Sequence, residues 1–129
     1  MLKNLKKIEE PAYALLRIVS GFAFSIHGFQ KLLGLFGGPL QPAFSQAWVG
    51  GIIELFGGVM IFLGLRTRLA AFLASGTMAV AYIQFHWKLQ LGEEFLPAVN
   101  KGELALIYCF LFLFIAAKGS GTWALDKRD

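Results

Sequence analysis

The chain has 129 residues, 57% of them hydrophobic, with a mean hydropathy of +0.62, above the roughly 45–50% apolar content of soluble domains. That length suits one domain, 1–129, and the excess of apolar residues belongs in lipid, which excludes an ordinary soluble enzyme. The net charge of +4 and pI near 9.4 do not point to nucleic acid, because the basic residues flank apolar stretches instead of forming one patch.

Four apolar stretches, about 11–31, 43–65, 69–86 and 102–118, are predicted as transmembrane helices, a helical crossing needing about 17–25 residues. The third is marginal and the fourth short, with Lys88, Lys101 and Lys118 placed to snorkel. The basic start is not read as a signal peptide, since Phe22, Phe24 and His27 replace a small-residue cleavage site. On the first helix, Arg17, Gly21, Phe24, Gly28 and Lys31 share one stripe, with His27 on its flank. Glycines and prolines between Gly34 and Pro42 then end helical structure.

The second helix repeats the pattern with Gly50, Glu54, Gly57, Ile61 and Gly64, small residues at a spacing that lets helix backbones approach closely. Residues 65–68 leave only a tight turn, so the second and third helices form an antiparallel hairpin. The third stripe is Phe72, Ser75, Ala79, Tyr82 and His86. The connection 87–101 is the longest and carries Glu93, Glu94 and Pro97; on the fourth helix Glu103 aligns with Ile107, Phe110 and Phe114. The single cysteine, Cys109, excludes an intrachain disulfide or thiol pair. Redox chemistry here has to use a cofactor or a partner.

With both termini cytoplasmic, the inner side holds Lys3, Lys6, Lys7, Arg66, Arg68, Lys118, Lys127 and Arg128, and the outer side only Lys31, Lys88 and Lys101. The positive-inside rule favours that orientation. The fold expected is therefore all-α: an integral membrane four-helix transmembrane bundle, multi-pass, in a cell (inner) membrane. Trp48, Trp87 and Trp123 fall near span ends, where indoles prefer to sit.

In this orientation His27, Glu54, His86 and Glu103 gather at one outer level, Glu54 lying about 9 Å below the start of its helix at ~1.5 Å per residue. Ionisable groups in lipid normally face a bundle interior and mark a proton, ion or substrate path. Glu54 and His27 are the candidate catalytic pair; Arg17, Lys31, His86 and Glu103 are the candidate ligand-binding residues. The structural alternative is that Glu54 pairs with His27 or Lys31 to hold helices together, and that Glu103 merely starts its helix. Arg17, about 9 Å into the membrane from the other side, either snorkels or binds helix-end carbonyls or a polar ligand head. Two histidines alone are a weak haem signal, and a metal set of His27, Glu54, His86 and Glu103 has suitable donors without a diagnostic spacing, so no metal is assigned.

Several ordered blocks carry a family resemblance: Leu15-Leu16-Arg17 with His27-Gly28 and Lys31; Glu54-Leu55 with Gly57-Gly58; Gly64-Leu65-Arg66-Thr67-Arg68 with Ala70-Ala71; and Asn100-Lys101-Gly102-Glu103 through Tyr108-Cys109 to Leu125-Asp126. With these the chain resembles the DoxX family of membrane proteins. The resemblance implies a four-helix transmembrane bundle. It also implies association with redox systems, since members are linked to a thiosulfate:quinone oxidoreductase and to a mycobacterial membrane oxidoreductase complex. It supplies no agreed catalytic set.

Three functions remain open. The first is a quinone-linked subunit of an oxidoreductase, acting with a redox partner subunit, in which Glu54 and His27 exchange protons with a quinone while Arg17 or Lys31 stabilises negative charge. The second is a non-catalytic scaffold or assembly factor, the glycine stripes meeting a partner or a second copy in a homo-oligomer. The third is a small carrier or proton path, for which no inverted repeat is found. No nucleotide-binding loop or nucleophile elbow is present, because the Gly-Gly pairs at Gly50 and Gly57 lie inside an apolar helix.

Overall fold

Helix α1 runs from Leu2 to Leu33, tightened to a 3₁₀ turn at Lys6–Ile8, and so begins well before the expected boundary at 11. Glu9 and Glu10 sit in the first turn of its main part, where carboxylates complement the helix dipole. It ends at Gly34, whose φ of 67° is left-handed and costs glycine no Cβ clash. The computed structural model describes residues 1–127; Arg128, one of the basic residues assigned to the inner side, and Asp129 lie outside the described residues.

Helix α2, Gln46–Leu63, starts where the Ser45 hydroxyl accepts the Trp48 N–H at 3.2 Å, three residues later than expected. A left-handed Gly64 and a two-residue turn lead into α3, Thr67–Trp87. After a 3₁₀ turn at Glu93–Phe95 come a single helical turn, α4 (Pro97–Asn100), and α5 (Glu103–Lys118). There is no strand among the described residues. By length and composition α1, α2 and α3 can each cross a membrane; α5, at 16 residues, is shorter than a full crossing.

Two packing chemistries join the helices. Between α1 and α2 the contact is backbone on backbone: a Cβ added at Gly58 would stand 2.6 Å from Ser25 N, and one at Gly28 would overlap Leu55 N. Such close approach replaces the missing hydrophobic drive in lipid with van der Waals contact. Between α3 and α5 small residues meet large ones: Ala70, Ala71 and Ala74 pack in the cluster that holds Tyr108, Phe112 and Ile115. Ser75 also donates to the Cys109 carbonyl at 2.7 Å. Phe24 of α1 ties the two pairs together, its ring 4.7 Å from that of Phe112 and 5.6 Å from that of Tyr108.

The segment after α5 packs across the Leu63 end of α2 and beside Arg17 of α1. Leu125 and Asp126 donate their N–H groups to Leu63 and Gly64 carbonyls at 3.0 Å, and the Asp126 carboxylate accepts the Arg66 N–H at 2.7 Å. Arg17 completes the junction, as described below.

Some expected faces move. Arg17, Gly21, Phe24 and Gly28 are buried as the stripe on α1 requires. On α5, however, Ile107, Phe110 and Phe114 point outward and Ala105, Tyr108, Phe112 and Ile115 point inward. That helix is apolar on every side, so no periodic signal marks its inner face. On α3 Ser75 and Tyr82 are buried but Phe72 is 64% exposed. The glycines that close the α1–α2 contact are Gly21, Gly28 and Gly58, whereas Gly50 and Gly57 have only ordinary or distant neighbours.

Candidate functional site

The site grows from the glycine contact. With no side chain at Gly28, α1 approaches Leu55 of α2, and Gly51 leaves room for the Lys31 side chain. Lys31 Nζ then reaches Glu54 Oε1 at 2.8 Å. Glu54 is only 2% exposed, and its Oε2 is buried without a hydrogen-bond partner. It lies in a π-turn, Ile53–Gly57, and a second π-turn, Tyr82–Trp87, lies in α3. Each inserts an extra residue into the helical ladder and re-aims the side chains it carries, a device frequent at functional sites.

Two cavities share this ion pair. One is a chamber of about 500 Å³ whose polar lining is His27, Lys31, Gln41, Glu54, His86 and Lys101, with Tyr108 among its aromatic walls. The other is a groove of about 450 Å³ between α2 and α3, lined largely by apolar side chains such as Ile53, Phe72, Leu73 and Phe85 and by Gly50 and Gly76. Both fall within the roughly 300–1,000 Å³ of small-molecule sites. Lys31, Glu54, Ala47, Met78, Ala81 and Phe85 line both.

Next to Lys101 of the chamber lies a buried amide, Asn100. Asn100 Nδ2 donates to the Tyr82 hydroxyl at 3.1 Å and to the Glu94 carbonyl at 2.9 Å, while its Oδ1 accepts the Gly102 N–H at 2.8 Å. Tyr82 in turn donates to the Phe95 carbonyl at 2.9 Å. His86 Nδ1 is 3.4 Å from the Asn100 carbonyl oxygen, so the α4 turn and the histidine are held together.

The structure thus brings His27, Lys31, Glu54 and His86 to one chamber. It does not bring Arg17 or Glu103 there. Arg17 is fully buried, and its guanidinium donates to four carbonyls: Ile61 at 2.8 Å and Phe62 at 3.1 Å at the end of α2, and Thr122 at 3.1 Å and Trp123 at 2.8 Å in the C-terminal segment. It binds helix-end carbonyls. Glu103 is exposed in the first turn of α5 and lines neither cavity. Accordingly, no three His, Cys, Asp or Glu side chains among the described residues are grouped to hold a metal ion. The chamber residues missed are Gln41, Lys101 and Tyr108. The α5 sequence carries no facial signal for Tyr108, and Gln41 and Lys101 sit in connections whose path only the packed chain defines.

Comparison with known proteins follows the same outline. The DoxX family profile matches residues 12–87, from α1 through α3. An uncharacterized protein of Haemophilus influenzae is 40% identical over 131 residues, covering 98% of this chain and 97% of its own. The chain belongs to the DoxX family. CatD of Bacillus subtilis, whose name presents it as a candidate oxidoreductase, is 32% identical over 128 residues, covering 95% of this chain and 90% of its own. No solved structure matches the chain significantly. Both relatives extend across α5, which lies beyond the family match. With three helices of crossing length, this DoxX chain is a membrane protein.

Proposed function

We propose that this chain is the membrane subunit of a quinone-linked oxidoreductase, one domain crossing the inner membrane four times with both termini in the cytoplasm. The observation that carries the reading is Glu54: a carboxylate deep in a chamber of ligand size, its Oε1 held by Lys31 and its Oε2 left with acceptor capacity. A quinol hydroxyl is a donor that fits that oxygen. Reduction of a quinone takes up two electrons and two protons, and oxidation releases them. On this reading Glu54 and His27 pass the protons, while a redox partner subunit supplies or accepts the electrons, since this chain offers only Cys109 as a thiol. Lys31 holds Glu54 in place and offsets negative charge at the head group. His86 and Lys101 line the outward side, where protons reach water.

The relative named as a candidate oxidoreductase supports the redox class. The scaffold reading cannot use Gly21, Gly28 and Gly58, which are occupied by contacts within the chain, and keeps Gly50 and Gly57, which are not. Four crossings require α5, one residue or so short, to rely on Lys101 and Lys118 at its ends.

The test is mass spectrometry of the organic extract from purified protein, with turnover measured in membranes containing the partner subunit. Wild type should carry a quinone near stoichiometrically, and Glu54→Gln should lower turnover by about 10²–10⁴-fold while inserting normally. Unchanged turnover in Glu54→Gln would sink the assignment of Glu54.

A further inference from the structure

We propose that the groove between α2 and α3 is the seat of a long apolar tail on the ligand whose polar head occupies the chamber, so that the site selects tailed amphiphiles over their bare head groups. The inference deepens the quinone reading and rests on it for the identity of the head group. Three observations carry it. First, the groove is bounded by apolar side chains along α2 and α3, including Ile53, Val49, Phe72, Leu73 and Phe85. Thr77 is on that wall, but its hydroxyl is turned back to the Leu73 carbonyl at 2.9 Å and its methyl stands 4.0 Å from where a Gly50 Cβ would lie.

Second, the groove is kept open by residues that packing does not require to be glycine. A Cβ at Gly76 would meet nothing within 4 Å, in contrast to Gly21, Gly28 and Gly58, where helix contact leaves no room. Third, the groove is not a featureless apolar cleft. Glu54, 2% exposed with an unpartnered Oε2, and Lys31 line both groove and chamber. A donor group on the head can bind the carboxylate while the attached chain leaves between α2 and α3 toward the acyl chains of the bilayer. Near its outer end the Gln46 amide donates to Gln84, joining the same two helices.

The experiment measures binding of a long-tailed benzoquinone and of its tail-less analogue to wild type, Gly76→Leu and Gly50→Leu in nanodiscs. Taking each variant's ratio of affinities cancels partitioning of the tail into lipid. Wild type should prefer the tailed form, and the leucine variants should reduce that preference by about tenfold or more, with tail-less binding unchanged. An undiminished preference in both variants would overturn the proposal, as would a change of oligomeric state in Gly76→Leu with binding intact, which would assign the groove to a second copy. If wild type binds neither quinone, the head-group reading fails, and the same proteins are tested with a long-chain alcohol. Loss of alcohol binding in Gly76→Leu then upholds the tail groove, and no binding or unaltered binding overturns it.

Discussion

Arg17 shows what a guanidinium becomes when it cannot reach water: its two terminal nitrogens are shared among four carbonyls at the end of one helix and in the segment that folds back over it. Removing it takes a donor from each of those carbonyls, of which Ile61 keeps the Gly64 N–H, in an apolar interior where each lost hydrogen bond matters more than at a surface. Arg17→Met should therefore cost on the order of 2–4 kcal/mol of stability, and Arg17→Lys much of that, because an ammonium cannot fork between the two segments. Thermal unfolding in detergent checks this, with ligand affinity at Glu54 as the control expected to stay unchanged. Stability equal to wild type in Arg17→Met would refute the role. Much of the site was legible at this scale: an ionisable side chain in an apolar helix is costly enough that its type and position alone flagged His27, Lys31, Glu54 and His86. Which partner each finds was not, since Lys31 and His27 were equally available to Glu54 until α1 and α2 were docked.

Among the elements, glycine does two different jobs that sequence spacing does not separate. Gly21, Gly28 and Gly58 let α1 and α2 touch through their backbones; Gly76 faces open space and Gly50 meets only the Thr77 methyl at 4.0 Å. Gly28→Leu should drive the Leu55 backbone away, costing roughly 1–3 kcal/mol or more and breaking the Lys31–Glu54 pair, as overpacked sites do. Gly50→Leu should unfold at the wild-type temperature. Melting curves of the two variants side by side decide the matter, and equal destabilisation of both would contradict the division. The stripe on α1 was correctly read because its polar and small residues recur at helical spacing. The face of α5 was misread through Glu103, because a helix that is apolar all round offers one carboxylate and no periodicity. The π-turns at Ile53–Gly57 and Tyr82–Trp87 were invisible for a related reason: they arise where packing, not local composition, favours an extra residue in the turn.

For the whole molecule, the proposed orientation is argued from charge. The connection that includes Leu91, which is 94% exposed, should lie outside, and Lys3 inside. With Cys109 changed to serine, an impermeant maleimide added to spheroplasts should label Leu91→Cys at once and Lys3→Cys only after permeabilisation. Labelling of both from the same side would reverse or break the proposed topology.

Composition and hydropathy were enough to place the chain in a membrane and to mark its helices, because transfer into lipid depends on the summed apolar content of each stretch, which is a property of the chain in one dimension. The helix hairpin of α2 and α3 was equally plain, since a turn this short allows little else. Packing settled the rest. It matched Lys31 to Glu54, sent Arg17 to carbonyls, left Glu103 outside the chamber and drew Tyr108 and Lys101 in. These outcomes depend on rotation and depth of one helix against another, which are fixed by van der Waals contact between surfaces far apart in the chain, and no local pattern encodes them.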